Sequence, residues 1–300
     1  MKTLYKVLLV TLTIYGFSIA NGHAENSGQK SLLWVVNAKS GNPGKVYVFG
    51  TIHVGRSDFY PLSSTIESAF SQSEVLAVEA DISNMEKSLA LAKRSFYQPP
   101  DSLDKNITRS LMDKVRAILP NYGIDSVQVN LMKPWMLAST LEVLEVSKHG
   151  YTPLLGVELY LLQRAKQQGK IVAEIESIEF QLHLMESLSK QEQEAFLQST
   201  LMGIERGSHQ KMIGDIVSAW QLGDGERMDK SIVEANRGLP LTESFYEKIN
   251  YSRNPGIAKK VEDYLLTGKT HFVAVGSLHL LGKRGIIEIL RSRGYQVKQL

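Results

Sequence analysis

The chain has 300 residues, 43% of them hydrophobic and 22% charged, which is enough for one large core or two small ones. It contains no cysteine, which excludes disulfides, Cys-ligated zinc, iron–sulfur clusters and a thiol nucleophile, so any metal must sit on His, Asp or Glu. The 34 Lys+Arg against 31 Asp+Glu leave a net charge of +3, too balanced to imply a nucleic-acid partner.

Residues 1–24 read as a secretory signal peptide. Lys2 and Lys6 precede an apolar run over 7–17 that is too short to span a bilayer, and small residues follow. Cleavage is expected after Ala20 or Ala24, with Ala24 favoured. The mature chain, 25–300, then reads as a single domain in a periplasmic or secreted compartment. It has no cysteine for a lipid anchor and no second segment long enough to cross a membrane.

The ordered part starts with a strand at 32–36. A turn at 40–44 leads to a second strand at 45–49, rich in β-branched and aromatic residues, which ends at Gly50-Thr51-Ile52-His53. Helical spacing over 64–72 is followed by a buried-type strand, 75–78, that ends at Glu79. Apolar residues recur every three or four positions across 101–150, so this stretch is helical, with Gly150 as its stop. A helix over 157–168 and a strand over 170–176 come next. Ser189-Lys190-Gln191-Glu192 has the capping-box form. Residues 200–250 look helical, broken near Gly223 and Gly238. Asn254-Pro255 reads as the cap and first turn of a helix to Leu265. A strand over 271–275 ends at Gly276-Ser277-Leu278-His279, and a helix over 285–293 and a strand over 296–300 close the chain. The fold class is therefore α/β: a central sheet from two strand–Gly-x-x-His–helix–strand units at the chain ends, with a largely helical insertion over about 82–250.

The repeated device is the most informative feature. A glycine at a strand end lets the backbone turn sharply or approach a ligand closely. The histidine three residues on then sits at the carboxyl edge of the sheet, where open α/β sheets place their sites. If the two units pair about a pseudo-twofold axis, His53 and His279 face one crevice. Two imidazoles and a carboxylate suit a divalent metal, and Glu79 is the natural third member, unless it is merely an exposed carboxylate past a strand. His149, His183, His209 and His271 read as caps, core or surface residues. No His-Glu-x-x-His, Gly-x-Ser-x-Gly or phosphate-binding glycine loop is present. The basic cluster Lys283, Arg284, Arg291 and Arg293 reads as a solvated face.

Gly50-Thr51-Ile52-His53-Val54-Gly55, Val78-Glu79-Ala80-Asp81, Lys133-Pro134-Trp135, Gly156-Val157-Glu158, Gln181, Arg253-Asn254 and the block from Val273 to Gly282 together resemble the TraB/PrgY/GumN family, which includes the Tiki proteases. The resemblance runs from about Leu32 to Leu300. It implies that His53, His279, Glu79 and Arg253 stand at the family's functional positions and that a divalent ion such as manganese or cobalt is the cofactor. Two positions depart from the family: Glu158 stands where Asp is common, and Ser252 where Glu is common. On this resemblance the chain is expected to be an exported metal-dependent hydrolase, a peptidase acting on a peptide or other small polar substrate. His53, His279, Glu79 and Glu176 would be candidate metal ligands, with Glu79 a ligand or a general base and Glu176 a ligand or an orienting group. Arg253 would stabilise an oxyanion or bind a substrate carboxylate, or be a surface ion pair. The alternatives are a non-catalytic peptide- or haem-binding protein and a metal-free His/Glu esterase-like hydrolase.

Overall fold

The computed structural model describes residues 30–38, 44–207 and 209–300, so the signal peptide and most of the turn at 40–44 lie outside the described residues. Six strands form one sheet in the order β4-β3-β5-β2-β1-β6, with β1 at Leu33–Asn37, β2 at Lys45–Thr51, β3 at Val75–Val78, β4 at Ile171–Glu174, β5 at Thr270–Gly276 and β6 at Gln296–Gln299. β4, β3, β5 and β2 are mutually parallel, and β1 pairs antiparallel with both β2 and β6. β3 and the inner parts of β2 and β5 are buried on both faces, which is why they read as continuous apolar runs rather than as alternation.

β2 leads through α1 (Ser64–Gln72) to β3, passing β5, and β5 leads through α14 (Ile286–Ser292) to β6, passing β2 and β1. Because the two crossovers leave the central β2–β5 pair in opposite directions, right-handed connections place their helices on opposite faces of the sheet. The register sets Gly50 against Val275 and Thr51 against Gly276, so the two Gly-x-x-His motifs are offset by one residue along the paired strands.

Between β3 and β5 the chain is mainly helical, with α2 at Met85–Ala92, α3 at Leu103–Asn106, α4 at Arg109–Ile118, α5 at Ser126–Asn130, α6 at Pro134–Lys148, α7 at Val157–Gln167, α8 at Ile178–Glu186, α9 at Lys190–Arg206, α10 at His209–Gln221, α11 at Gly225–Ala235, α12 at Glu243–Ile249 and α13 at Asn254–Leu265. β4 interrupts this run and returns to the sheet edge beside β3. The capping box at Ser189 forms with both of its hydrogen bonds. Gly150, Gly169 and Gly268 follow helix ends with positive φ, as their positions suggest.

The described residues form two hydrophobic cores. The first wraps the sheet and takes Ile213, Ile216, Val217 and Trp220 from α10. The second, around Leu103, Val115, Trp135, Leu141, Leu197 and Phe245, is built within the helical layer from α3, α4, α6, α9 and α12. Trp220 fastens the first core to the motif strand: its indole N–H donates to the Gly50 carbonyl at 2.8 Å, and its ring lies 6.3 Å from Phe49 and 5.6 Å from Phe59. Each such aromatic contact adds roughly 0.5–1.5 kcal/mol beyond the area it buries.

Candidate active site

The four parallel strands all point their carboxyl ends at one edge of the sheet, and the predicted residues leave from those ends. Glu79 follows β3, Glu176 lies just beyond β4, His53 follows β2 and His279 follows β5. Backbone bonds keep the β3 and β4 exits side by side, since Ile175 N–H donates to the Val78 carbonyl at 2.9 Å and Glu176 N–H to the Glu79 carbonyl at 2.8 Å. The two motif segments are also in contact. A Cβ on Gly50 would lie 2.9 Å from Ser277 Oγ, and the Ser277 hydroxyl donates to the Thr51 carbonyl at 2.9 Å. Glycine at this strand end is therefore required by close approach.

Glu79 is the hub. Its Oε1 accepts from the Gly276 N–H at 2.7 Å, and its Oε2 accepts from Arg253 Nη2 at 2.5 Å and from Gln181 Nε2 at 3.0 Å. His279 Nε2 lies 3.7 Å from the same Oε2, too far for a hydrogen bond. Burial opposes ionisation of Glu79, but the Arg253 guanidinium above all, with the neighbouring His279 and His53 rings and the Gly276 N–H, outweighs it and holds the carboxyl down at about 2. His53 is thus within electrostatic reach of Glu79, and it acts on His279 in the same way.

Arg253 is buried, not a surface ion pair. Nε and Nη2 engage Glu176 at 2.9 and 2.6 Å, Nη2 also reaches Glu79, and Nη1 donates to the Ile249 carbonyl at 2.9 Å. Burial disfavours its charge, but Glu79 and Glu176 more than compensate and raise its pKa. These bonds turn the guanidinium toward two protein carboxylates and make it a brace for Glu79. Glu176 meets Arg253 and, at 3.3 Å, Gln181 Nε2, so it sits on the side of Glu79 where the guanidinium is.

The two histidines are each held through Nδ1. His53 is half-buried, with Nδ1 3.1 Å from Glu158 Oε1, an oxygen that also accepts from the Thr51 hydroxyl. Burial lowers the His53 pKa, yet the charge and hydrogen bond of Glu158 outweigh it and raise the value. The Glu158 segment is itself clamped to the motif loop. Val157 N–H donates to the Ile52 carbonyl at 3.0 Å, Gly55 and Thr152 exchange backbone bonds of 3.0 and 2.9 Å, and a Cβ on Gly156 would stand 2.5 Å from the His53 carbonyl oxygen. His279 is fully buried, with Nδ1 2.6 Å from Asn254 Oδ1. Burial first and the Arg253 charge second push its pKa down to about 3, so the ring is neutral. On both rings Nε2 is buried without a hydrogen-bond partner.

These orphaned nitrogens bear on the implied metal. The neutral His279 ring, a second unpartnered Nε2 on His53 and a carboxylate held ionised form a donor set of the right chemistry for a divalent ion. Among the described residues, however, no three His, Asp or Glu side chains stand together as a finished cage. Glu79 Oε2 is instead engaged by Arg253 and Gln181. The residues fit a metal by donor type and by their unpartnered atoms.

Sequence reasoning missed the structural parts of Gln181, Asn254 and Thr51. Gln181 had a usable signal, because it is a polar residue on the buried face of α8 beside Leu182 and Met185. Asn254 does not cap α13. Arg253 occupies the N-cap position, and the Asn254 side chain turns inward to His279. Glu158, one methylene longer than the family's usual Asp, reaches both His53 and Thr51. Ser252 is exposed and donates to the Lys248 carbonyl at 3.3 Å. Of the remaining histidines, His209 is buried against Glu142 at 3.2 Å, His271 stacks on Tyr264, and His183 is exposed.

The TraB/PrgY/gumN family model matches residues 32–299. The uncharacterized protein YbaP of Escherichia coli K12 is 25% identical over 245 residues, covering 82% of this chain and 87% of YbaP. The protein named metalloprotease TIKI1 is 26% identical in Xenopus tropicalis and 25% identical in Homo sapiens. In each case 91% of this chain aligns, and it spans only 62% and 63% of those longer proteins. No solved structure matches the chain.

Proposed function

This chain belongs to the TraB/PrgY/gumN family, and we propose that it is an exported, metal-dependent hydrolase that cleaves peptide bonds at the sheet edge built from His53, His279 and Glu79. One observation carries the reading: His279 Nε2, buried and without a partner, lies 3.7 Å from a carboxylate that its neighbours keep charged, and the Nε2 of His53, likewise unpartnered, belongs to a ring within electrostatic reach of the same group. The relatives named metalloproteases lend it support. His53 and His279 would hold the ion through Nε2, with Glu79 as the oxygen donor. Glu158 and Asn254 orient the rings, and Arg253, Glu176 and Gln181 hold Glu79 in place. A divalent ion such as manganese or cobalt would supply a Lewis acid that polarises the scissile carbonyl and acidifies water. Because Arg253 is spent on Glu79 and Glu176, its contribution is to position the acid.

A metal-free reading rests on the same groups, and one observation favours a particular form of it. Glu79 at about 2 is too weak a base for general-base work near neutrality, whereas His53, backed by Glu158 and raised in pKa, is suited to take and return a proton. The two readings separate in one assay. Purified chain is offered a mixture of unstructured peptides with manganese, with cobalt and with a chelator. The metal reading expects cleavage that the chelator abolishes, and chelator-insensitive cleavage lost in His53→Ala transfers the chemistry to the metal-free dyad. No cleavage in any arm contradicts the hydrolase reading. Export is part of the same proposal: N-terminal sequencing of protein from a periplasmic or culture-fluid fraction should begin at Glu25, and a retained Met1 would contradict it. No helix among the described residues is long and apolar enough to cross a membrane.

A further inference from the structure

Asn254 has no exposed surface, and both of its amide atoms are committed. Nδ2 donates to the main-chain carbonyl of Arg284 at 2.8 Å, and Oδ1 lies 2.6 Å from His279 Nδ1. A carbonyl oxygen can only accept, so the Arg284 contact fixes which end of the amide is nitrogen and leaves oxygen facing the imidazole. An oxygen in that place requires a proton on Nδ1. The other ring nitrogen, Nε2, is then a bare lone pair, buried, unpartnered and 3.7 Å from Glu79 Oε2.

Without Asn254 the same pair would behave differently. A histidine beside a carboxylate is satisfied when Nε2 carries the proton and donates it across, and the gap then closes as an ordinary hydrogen bond. With the proton held on Nδ1, two acceptors face one another at 3.7 Å, an arrangement that favours a cation between them. We propose that Asn254 is a positioning residue that fixes His279 as the Nδ1–H tautomer, so that Nε2 meets Glu79 as a bare acceptor and the gap between them is kept for a divalent cation. The occupant rests on the hydrolase reading, whereas the tautomer does not. Arg253 and Asn254 are consecutive, so the turn into α13 sets both halves of the pair: the first residue aims the carboxylate, and the second sets the lone pair opposite it.

The test uses the full mature chain with 15N-labelled histidine. The His279 ring signals are assigned by their disappearance in His279→Gln. In the wild type the Nδ1 signal should be of the protonated kind and the Nε2 signal of the bare kind. Asn254→Leu should exchange the two, and Asn254→Asp, which keeps an acceptor oxygen, should retain the wild-type pattern. A wild-type ring protonated on Nε2 overturns the proposal, and so does an Asn254→Leu spectrum identical to the wild type. If Asn254→Leu does not fold, the wild-type and Asn254→Asp spectra still decide it. Calorimetric titration with manganese alone should show Asn254→Leu weakened by roughly 10- to 100-fold, the usual cost of losing a group that orients a ligand. Equal affinity overturns the role in keeping the gap open. If the wild type binds no manganese, the functional reading fails while the nitrogen signals still judge Asn254.

Discussion

Replacing Arg253 by methionine keeps most of the side-chain volume and removes the guanidinium. Four hydrogen bonds to Glu176, Glu79 and the Ile249 carbonyl, between 2.5 and 2.9 Å, are lost. What remains is two carboxylates with side chains 7% and 9% exposed, and Gln181 is the one other side-chain donor that the structure gives to both. Removing one partner from a buried ion pair costs roughly 3–5 kcal/mol, because the surviving charge stays out of water without compensation. At about 2–4 °C per kcal/mol for a chain of this size, the melting temperature at pH 8 should fall by roughly 6–20 °C. The loss should depend on pH in a definite direction. Without Arg253, burial and the neighbouring carboxylate raise the folded-state pKa of Glu79 above the unfolded value near 4.5, so the folded state takes up a proton first as pH falls. The gap between variant and wild type should therefore be widest above pH 7 and narrow toward pH 5. Adding Glu79→Gln and Glu176→Gln to Arg253→Met should restore most of the lost stability, because no buried charge is left unpaired. Thermal or urea unfolding at pH 8 and pH 5 reads this directly. An equal loss at both pH values, or no rescue by the double amide, would show that the arginine matters through packing and refute the electrostatic account.

The remaining predictions follow the same geometry. Wild-type stability should decline as pH falls from about 6.5 toward 3. His279 is held at about 3 against 6.5 and Glu79 at about 2 against 4.5, so the unfolded chain binds those protons more readily, and a flat denaturation midpoint from pH 6 to 3 would contradict both shifts. Glu158→Gln should leave the fold within about 1–3 kcal/mol of wild type, read by urea unfolding, while lowering the His53 pKa seen by NMR. Gly156→Ala puts a Cβ 2.5 Å from the His53 carbonyl oxygen, so it should displace the motif loop and cost at least about 1–3 kcal/mol in urea unfolding; an unperturbed His53 ring signal would argue against the clamp.

Much of this fold is legible locally. The 64–72 helix, the 75–78 strand and the Ser189 capping box are written in short-range periodicity and punctuation, and they form where the residues say. The two histidines and Glu79 are legible because each follows a strong strand, and strand ends in a parallel sheet converge on one edge. The bonds that tune them are of another kind. Arg253 meets Glu79 across 174 positions of chain, and Glu158 meets Thr51 across 107, separations that no local pattern reports. Asn254 shows how local chemistry misleads: Asn before Pro is a good cap signal, but the short 3-10 turn Tyr251–Arg253 runs straight into α13, and the amide is freed to face His279.

The central claim is that His53 and His279 present their Nε2 atoms to one divalent ion beside Glu79. A crystal soaked in manganese, with anomalous data collected at the manganese edge, tests this most directly. The account predicts one strong peak within bonding distance of both nitrogens, lost in a His279→Ala crystal. A peak elsewhere, or none beside Glu79, would contradict it.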